Sequence, residues 1–291
     1  METKFMEENG PRDVLDAPNV GTLRSEKPVP RSAYRLSAVI AVLMVVGSMA
    51  GVLIDGLYTD GPWAREALRA GDLTTLAVAV PVLIGSLLLA RRGSHAAQAV
   101  WLGVLAYSVY NYGYFVFGAT FNDIFVLHIA LFSVSVVTLV LTLANVDVAA
   151  IADRFRGARG ARWIGAFLAL VGSILGGLWV FLAIRFAITG DLMADVPADG
   201  LHLVLAIDTS LLVPALVMAG VLLWRRTTAG FVFAPTMVVM GAIYQVNLLL
   251  AGLFQANADV PGAKAFPPEG IFLASGFAVA IAVMFIPRGG R

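Results

Sequence analysis

Cysteine is absent from this 291-residue chain, and charge is scarce: Asp, Glu, Lys and Arg together make up 13% of it. Without cysteine there are no disulfides, no thiolate metal sites, no iron–sulfur clusters and no cysteine nucleophile. A soluble domain carries about 25% charged residues, so a fold in water is a poor fit. The net charge of +1 gives no argument for nucleic acid as a partner. Histidine is also sparse. His95, His128 and His202 lie far apart with no ligand spacing, so no metal or cofactor is expected. Nucleophile elbows, zinc-protease helices, phosphate loops and dinucleotide fingerprints are all missing.

What the chain does have is apolar runs, with 59% hydrophobic residues and a mean hydropathy of +0.85. A hydrocarbon core of ~30 Å takes about 20 helical residues. Eight segments reach that length, at 33–57, 73–90, 97–118, 123–145, 162–188, 201–224, 229–254 and 269–287. Only helices satisfy their own backbone polar groups inside such runs. The expected fold class is therefore all-α, a polytopic transmembrane helical bundle of eight helices in residues 32–291. Residues 1–31 are polar, lack the apolar stretch of a signal peptide, and read as a disordered cytoplasmic tail.

The basic residues alternate. Arg31 and Arg35, then Arg91 and Arg92, then Arg154, Arg156, Arg159 and Arg162, then Arg225 and Arg226, then Arg288 and Arg291 fall on one side. The opposite loops hold only Arg65, Arg69 and Lys264, and they carry most of the acids, including Asp60, Glu66 and Asp72. The positive-inside rule then places both termini in the cytoplasm. Trp101, Trp163 and Trp224 fall at the cytoplasmic helix ends, where an interfacial belt is expected. The first outer loop suggests a short interfacial helix. Asp60 would cap it, Pro62 would start it and Gly71 would end it, with Trp63, Ala64 and Leu68 toward lipid.

Three correspondences suggest two parallel four-helix repeats, 33–146 and 162–287. Gly47/Gly51 matches Gly172/Gly176. Pro81 before Arg91–Arg92 matches Pro214 before Arg225–Arg226. Tyr107 with Asn111 matches Tyr244 with Asn247. The GxxxG faces are also candidates for self-association or for docking a partner membrane subunit.

Ionisable residues inside a membrane are costly and mark functional sites. Asp208 lies about seven residues into its helix, ~10 Å down, and Arg185 lies ~6 Å below the outer end of the preceding helix. An Arg185–Asp208 ion pair is expected. The segment LAYSVYNYGYFVFG adds Tyr107, Tyr110, Asn111 and Tyr114 at helical spacing. With His128, His202, Tyr244 and Asn247 these form the candidate ligand-binding set, a polar cavity in the outer half of the bundle. The leading reading is a protein that binds or transports a small molecule or lipid-like compound. A membrane-embedded enzyme acting on a lipid or quinone, with Asp208 or His128 as acid or base, is the second. A non-catalytic partner subunit is the third.

The stretch GDLTTLAVAVPVLIGSLLLARRGS, followed by LAYSVYNYGYFVFGATFNDIF, resembles multi-pass bacterial membrane proteins of no established activity. The resemblance implies an inner-membrane location and carries over no functional residues.

Overall fold

The computed structural model describes residues 29–158, 160–191 and 198–286, with the side chains of 198–200 left out. The expected tail lies outside them, apart from its last few residues. Eleven α-helices occur among the described residues, with no strand. They are α1 (Arg31–Leu53), α2 (Pro62–Thr74), α3 (Val80–Arg91), α4 (His95–Gly118), α5 (Phe125–Asn145), α6 (Val148–Arg156), α7 (Ala161–Thr189), α8 (Ala198–Ile207), α9 (Val213–Trp224), α10 (Gly230–Asn257) and α11 (Pro268–Phe285).

Seven helical segments are long and apolar enough to cross a membrane: Arg31–Leu53, Pro62–Arg91, Phe125–Asn145, Ala161–Thr189, Leu201–Trp224, Gly230–Asn257 and Pro268–Phe285. They define an all-helical, multi-pass membrane protein. Large apolar side chains such as Val42, Val126, Val140, Leu170, Ile174, Phe272 and Val279 point outward, as a lipid-facing surface requires. The expected eighth span, α4, is 24 residues long but is not among the seven. Its His95, Gln98, Asn111 and four tyrosines dilute its apolar run. It is instead the most enclosed part of the bundle, with fifteen of its residues buried. It packs against α3, α5, α6, α8 and α10.

Two of the crossing segments contain a π turn. In Pro62–Arg91 it is Thr75–Ala79, closed by Val80 N–H on the Thr75 carbonyl. In the α8–α9 segment it is Asp208–Leu212, closed by Val213 N–H on the Asp208 carbonyl. Each is followed, after one valine, by a proline, Pro81 or Pro214, which has no N–H to offer the turn before it. Such wide turns commonly sit at functional sites.

Close helix approach relies on glycine. A Cβ on Gly103 would lie 2.6 Å from the Val239 Cβ and 2.9 Å from the Thr236 carbonyl, so α4 and α10 touch there. A Cβ on Gly165 would lie 2.7 Å from the Trp224 backbone N and 2.8 Å from the Gly220 carbonyl. The two GxxxG motifs are spent inside the chain in the same way. Gly172 and Gly176 receive Leu216, Val217 and Val213, while Gly47 receives Leu127. These faces are therefore not free for a partner subunit.

The connection after α1 departs from expectation. α2 does not lie flat and stop at Gly71; it runs through the π turn into α3. Gly71 sits inside the helix, facing Asn111 and Phe115. Leu68 is buried, and so is Glu66, which is held by Arg65 at 3.0 Å and Arg69 at 3.6 Å. Neutralised charges let the helix continue inward. Asp60 is not the cap, a position Gly61 takes. It accepts instead from Thr120 N–H and Oγ1, both at 2.9 Å, and so ties two connections together. On the opposite side, α6 was not expected. Asp147 caps it and Ile151, Ala152 and Phe155 are buried. Trp101 faces the protein rather than lipid: it is fully buried, with its indole N–H on Ser37 Oγ at 2.8 Å.

Candidate functional site

The polar residues of the bundle gather on both sides of α4. A helix whose residues at i and i+4 share a face turns Tyr107 and Asn111 one way and Tyr110 and Tyr114 another.

On the first side lies Asp72, 1% exposed. Its Oδ2 accepts from the Tyr58 hydroxyl at 2.6 Å. Burial first, and then the Asp72 carboxyl beside it, push the Tyr58 phenol far above its usual range, so it remains a donor. Gly51 leaves room for this pair: a Cβ there would overlap Asp72 Oδ2 and lie 2.7 Å from Tyr58 Oη. Gly51→Ala is therefore expected to displace Asp72 and to cost about 1–3 kcal/mol, the scale of overpacking a filled core. Chemical unfolding in detergent, set beside Gly85→Ala, whose new Cβ meets nothing within 4 Å, checks this.

On this side stand buried side-chain atoms with no hydrogen-bond partner among the described residues: Ser48 Oγ, Asn111 Nδ2, Tyr112 Oη and both ring nitrogens of His128. Ser48 and Tyr112 border the Asp72 carboxyl without reaching bonding geometry. His128 stacks on Tyr112 at 6.1 Å between ring centroids and meets Phe115 at 4.7 Å. Phe115 in turn meets Tyr58 at 5.9 Å. Such a concentration of buried polar groups without a full set of hydrogen bonds marks the region as a candidate site. Below it, Thr75 Oγ1 and Tyr107 Oη share a hydrogen bond at 3.0 Å.

On the second side lies Asp208, 3% exposed and at the start of the π turn. Its Oδ1 accepts from Tyr110 Oη at 2.5 Å and its Oδ2 from Trp179 Nε1 at 2.9 Å. Tyr110 Oη also lies 3.1 Å from Tyr244 Oη, whose proton it can accept, with the rings edge to face at 4.8 Å. Tyr107 and Tyr114 border Tyr244 in turn. Hydroxyl groups thus lead around α4 from one carboxyl toward the other.

The expected Arg185–Asp208 ion pair does not form. Asp208 is held by neutral donors, and no salt bridge among the described residues involves it or Asp72. Arg185 is half-buried, and its Nη1 has no partner among the described residues. The level of Asp208 on α7 belongs to Trp179, six residues or ~9 Å down the axis from Arg185. His202 is exposed and joins neither cluster. His128 is fully buried but sits with Asp72, without a hydrogen bond to any carboxyl. Asn247 Oδ1 and Gln245 Oε1 on α10 are buried and have no hydrogen-bond partner among the described residues.

Asp72, Tyr58, Ser48, Thr75 and Trp179 were not foreseen. One signal pointed to Thr75 and Asp72. Thr75 and Asp208 each stand six residues before a proline, Pro81 or Pro214. Laying one proline segment on the other puts Asp72 well inside its helix rather than in a loop. No group of three or more His, Asp or Glu side chains suited to a metal ion occurs among the described residues. No known protein family, curated protein or solved structure matches the chain.

Proposed function

We propose that this chain is a secondary transporter for a small polar solute, with Asp72 and Asp208 as its proton-handling groups. The reading takes α4 as an eighth crossing and both termini as cytoplasmic, from the alternation of basic loops. It places the protein in the inner membrane of a bacterium. One observation carries it: two carboxyl groups lie buried on either side of α4, each held by neutral donors only. Acidic side chains inside a membrane bundle mark ion pathways and proton relays.

The matching π turns support a 4 + 4 repeat. Thr75 and Asp208 occupy the same place relative to their prolines, and Arg91 and Arg225 close the two segments ten and eleven residues beyond them. Interrupted helices in corresponding positions of two halves are where transporters build their sites. The unmet donors Ser48, Asn111, Tyr112 and His128 would hold the solute beside Asp72.

The test is infrared difference spectroscopy on the protein in liposomes across a pH step. Carboxyl C=O bands are expected, one lost in Asp72→Asn and another in Asp208→Asn. Solute-driven currents on a supported membrane should vanish in the same variants. Bands and currents identical to wild type in both variants would sink the reading.

A further inference from the structure

The basic end of the bundle holds a second candidate site, independent of the buried carboxyls. Between the start of α1, the end of α3 and the start of α4 lies a cavity of about 540 Å³. Arg31, Tyr34, Arg35, Arg91, Gly93 and Gln98 line it, and among the described residues none that lines it is acidic. A volume of this order is typical of small-ligand sites.

We propose that this cavity binds the phosphate headgroup of an anionic phospholipid in the leaflet on the basic side of the membrane. Three arginines line it, and Arg is the side chain best matched to phosphate oxygens. One of the three stands against its local preference. Arg31 opens the first turn of α1, where the helix dipole disfavours a cation, and Arg35 follows one turn on. That turn holds no acidic residue, and Pro30 provides no side-chain cap for its N–H groups. An anion in the cavity meets the two arginines and the uncapped helix end together.

The third guanidinium is braced. Arg91 sits 5.1 Å from the centre of the Tyr34 ring. Tyr34 in turn packs 4.7 Å from Trp101, whose indole N–H is anchored on Ser37. This aromatic support fixes Arg91 before any ligand arrives and limits the ordering cost of binding.

A free inorganic anion offers the same phosphate chemistry. The surroundings favour the lipid. Val39 and Val42 on α1 and Leu88 and Leu89 on α3 are exposed within two turns of the arginines. The cavity therefore opens onto surface suited to acyl chains. Basic pockets between membrane helices on the basic side are where anionic headgroups bind.

Native mass spectrometry of the purified full chain, titrated with phosphatidylglycerol or phosphatidylcholine of matched acyl chains, tests this. Wild type is expected to hold phosphatidylglycerol in clear preference. Arg31→Gln with Arg91→Gln should weaken that binding about 30-fold, from about 1 kcal/mol per arginine near the headgroups. Arg31→Lys with Arg91→Lys keeps the charge and should lose much less, which separates ligand loss from misfolding. Arg154→Gln with Arg156→Gln, away from the cavity, should change nothing. Equal binding of the two lipids by wild type overturns the proposal, as does unchanged phosphatidylglycerol binding in the glutamine variant. Displacement of the lipid by millimolar inorganic phosphate would assign the site to a soluble anion and overturn the lipid assignment.

Discussion

Asp208→Ala is expected to destabilise the bundle by about 1–3 kcal/mol, while Asp208→Asn leaves stability within about 0.5 kcal/mol of wild type. The contrast follows from the donors around this side chain. Alanine strands the Trp179 indole N–H and leaves Tyr110 only Tyr244 as a partner. Asparagine can turn its oxygen to Trp179 and its amide N–H to Tyr110. The Tyr110 hydroxyl then reverses and donates to Tyr244, 3.1 Å away. The reversal needs Tyr244 as an acceptor, so Tyr244→Phe should cost more in the Asp208→Asn background than in wild type. A double-mutant cycle of chemical unfolding in detergent reads that coupling directly. If the asparagine and alanine variants are equally destabilised, Tyr110 does not reorient and the hydroxyl network is not the adaptable element described. The asparagine variant also gives a folded protein that has lost only an ionisable group, as any test of proton handling requires.

Gly220→Ala should be comparably damaging for a different reason. Its Cβ would overlap the Ala169 backbone N and lie 2.6 Å from the Gly165 carbonyl and 2.9 Å from the Ala169 Cα. All three are backbone atoms, so no rotamer change helps and α7 must move off α9. Overpacking of this kind costs about 1–3 kcal/mol, and in a membrane it also removes the close backbone packing that holds helices together. Gly165→Ala forces the same displacement from the other helix. The double variant should therefore cost clearly less than the two singles added, because one shift of α7 relieves both. Gly177→Ala, with nothing within 4 Å of its new Cβ, should be neutral or slightly stabilising through helix propensity. Thermal unfolding of the four proteins in one detergent distinguishes steric separation from any general sensitivity of α7.

Much of the architecture was legible because lipid imposes simple rules. Uninterrupted apolar runs predicted 123–145 and 201–224, and the helices Phe125–Asn145 and Leu201–Trp224 occupy them. Reading failed where charge was neutralised locally. Arg65, Glu66 and Arg69 look interfacial one at a time, yet as a mutually paired group they let α2 descend into the bundle with Asp72. The basic connection 146–161 hid α6, because a short capped helix with three buried apolar residues leaves little periodicity to see. The site was half legible. Asp208 and the tyrosines of α4 were identifiable as polar groups in an apolar setting. Which of them meet was not, because that depends on the rotation of one helix against its neighbour. Arg185 was paired with Asp208 on chain proximity alone, while the contact went to Trp179, an aromatic whose N–H sequence patterning counts as apolar. The polar groups around Asp72 come from three separate segments of chain, and no local pattern announces them.

Each π turn also acts as a phase adjuster. A residue in a helix advances the facing direction by about 100°, and a π turn accommodates one residue more than an α turn would. Removing a single residue from Thr75–Ala79 would leave α3 seated and swing α2, with Asp72, a quarter turn or more away from Tyr58 and Gly51. The same deletion in Asp208–Leu212 would leave Pro214 and the Gly165–Gly220 contact in register while turning what precedes them. Each crossing is thus two separately indexed rods on a common axis, one end set for lipid and close packing, the other for its buried acid.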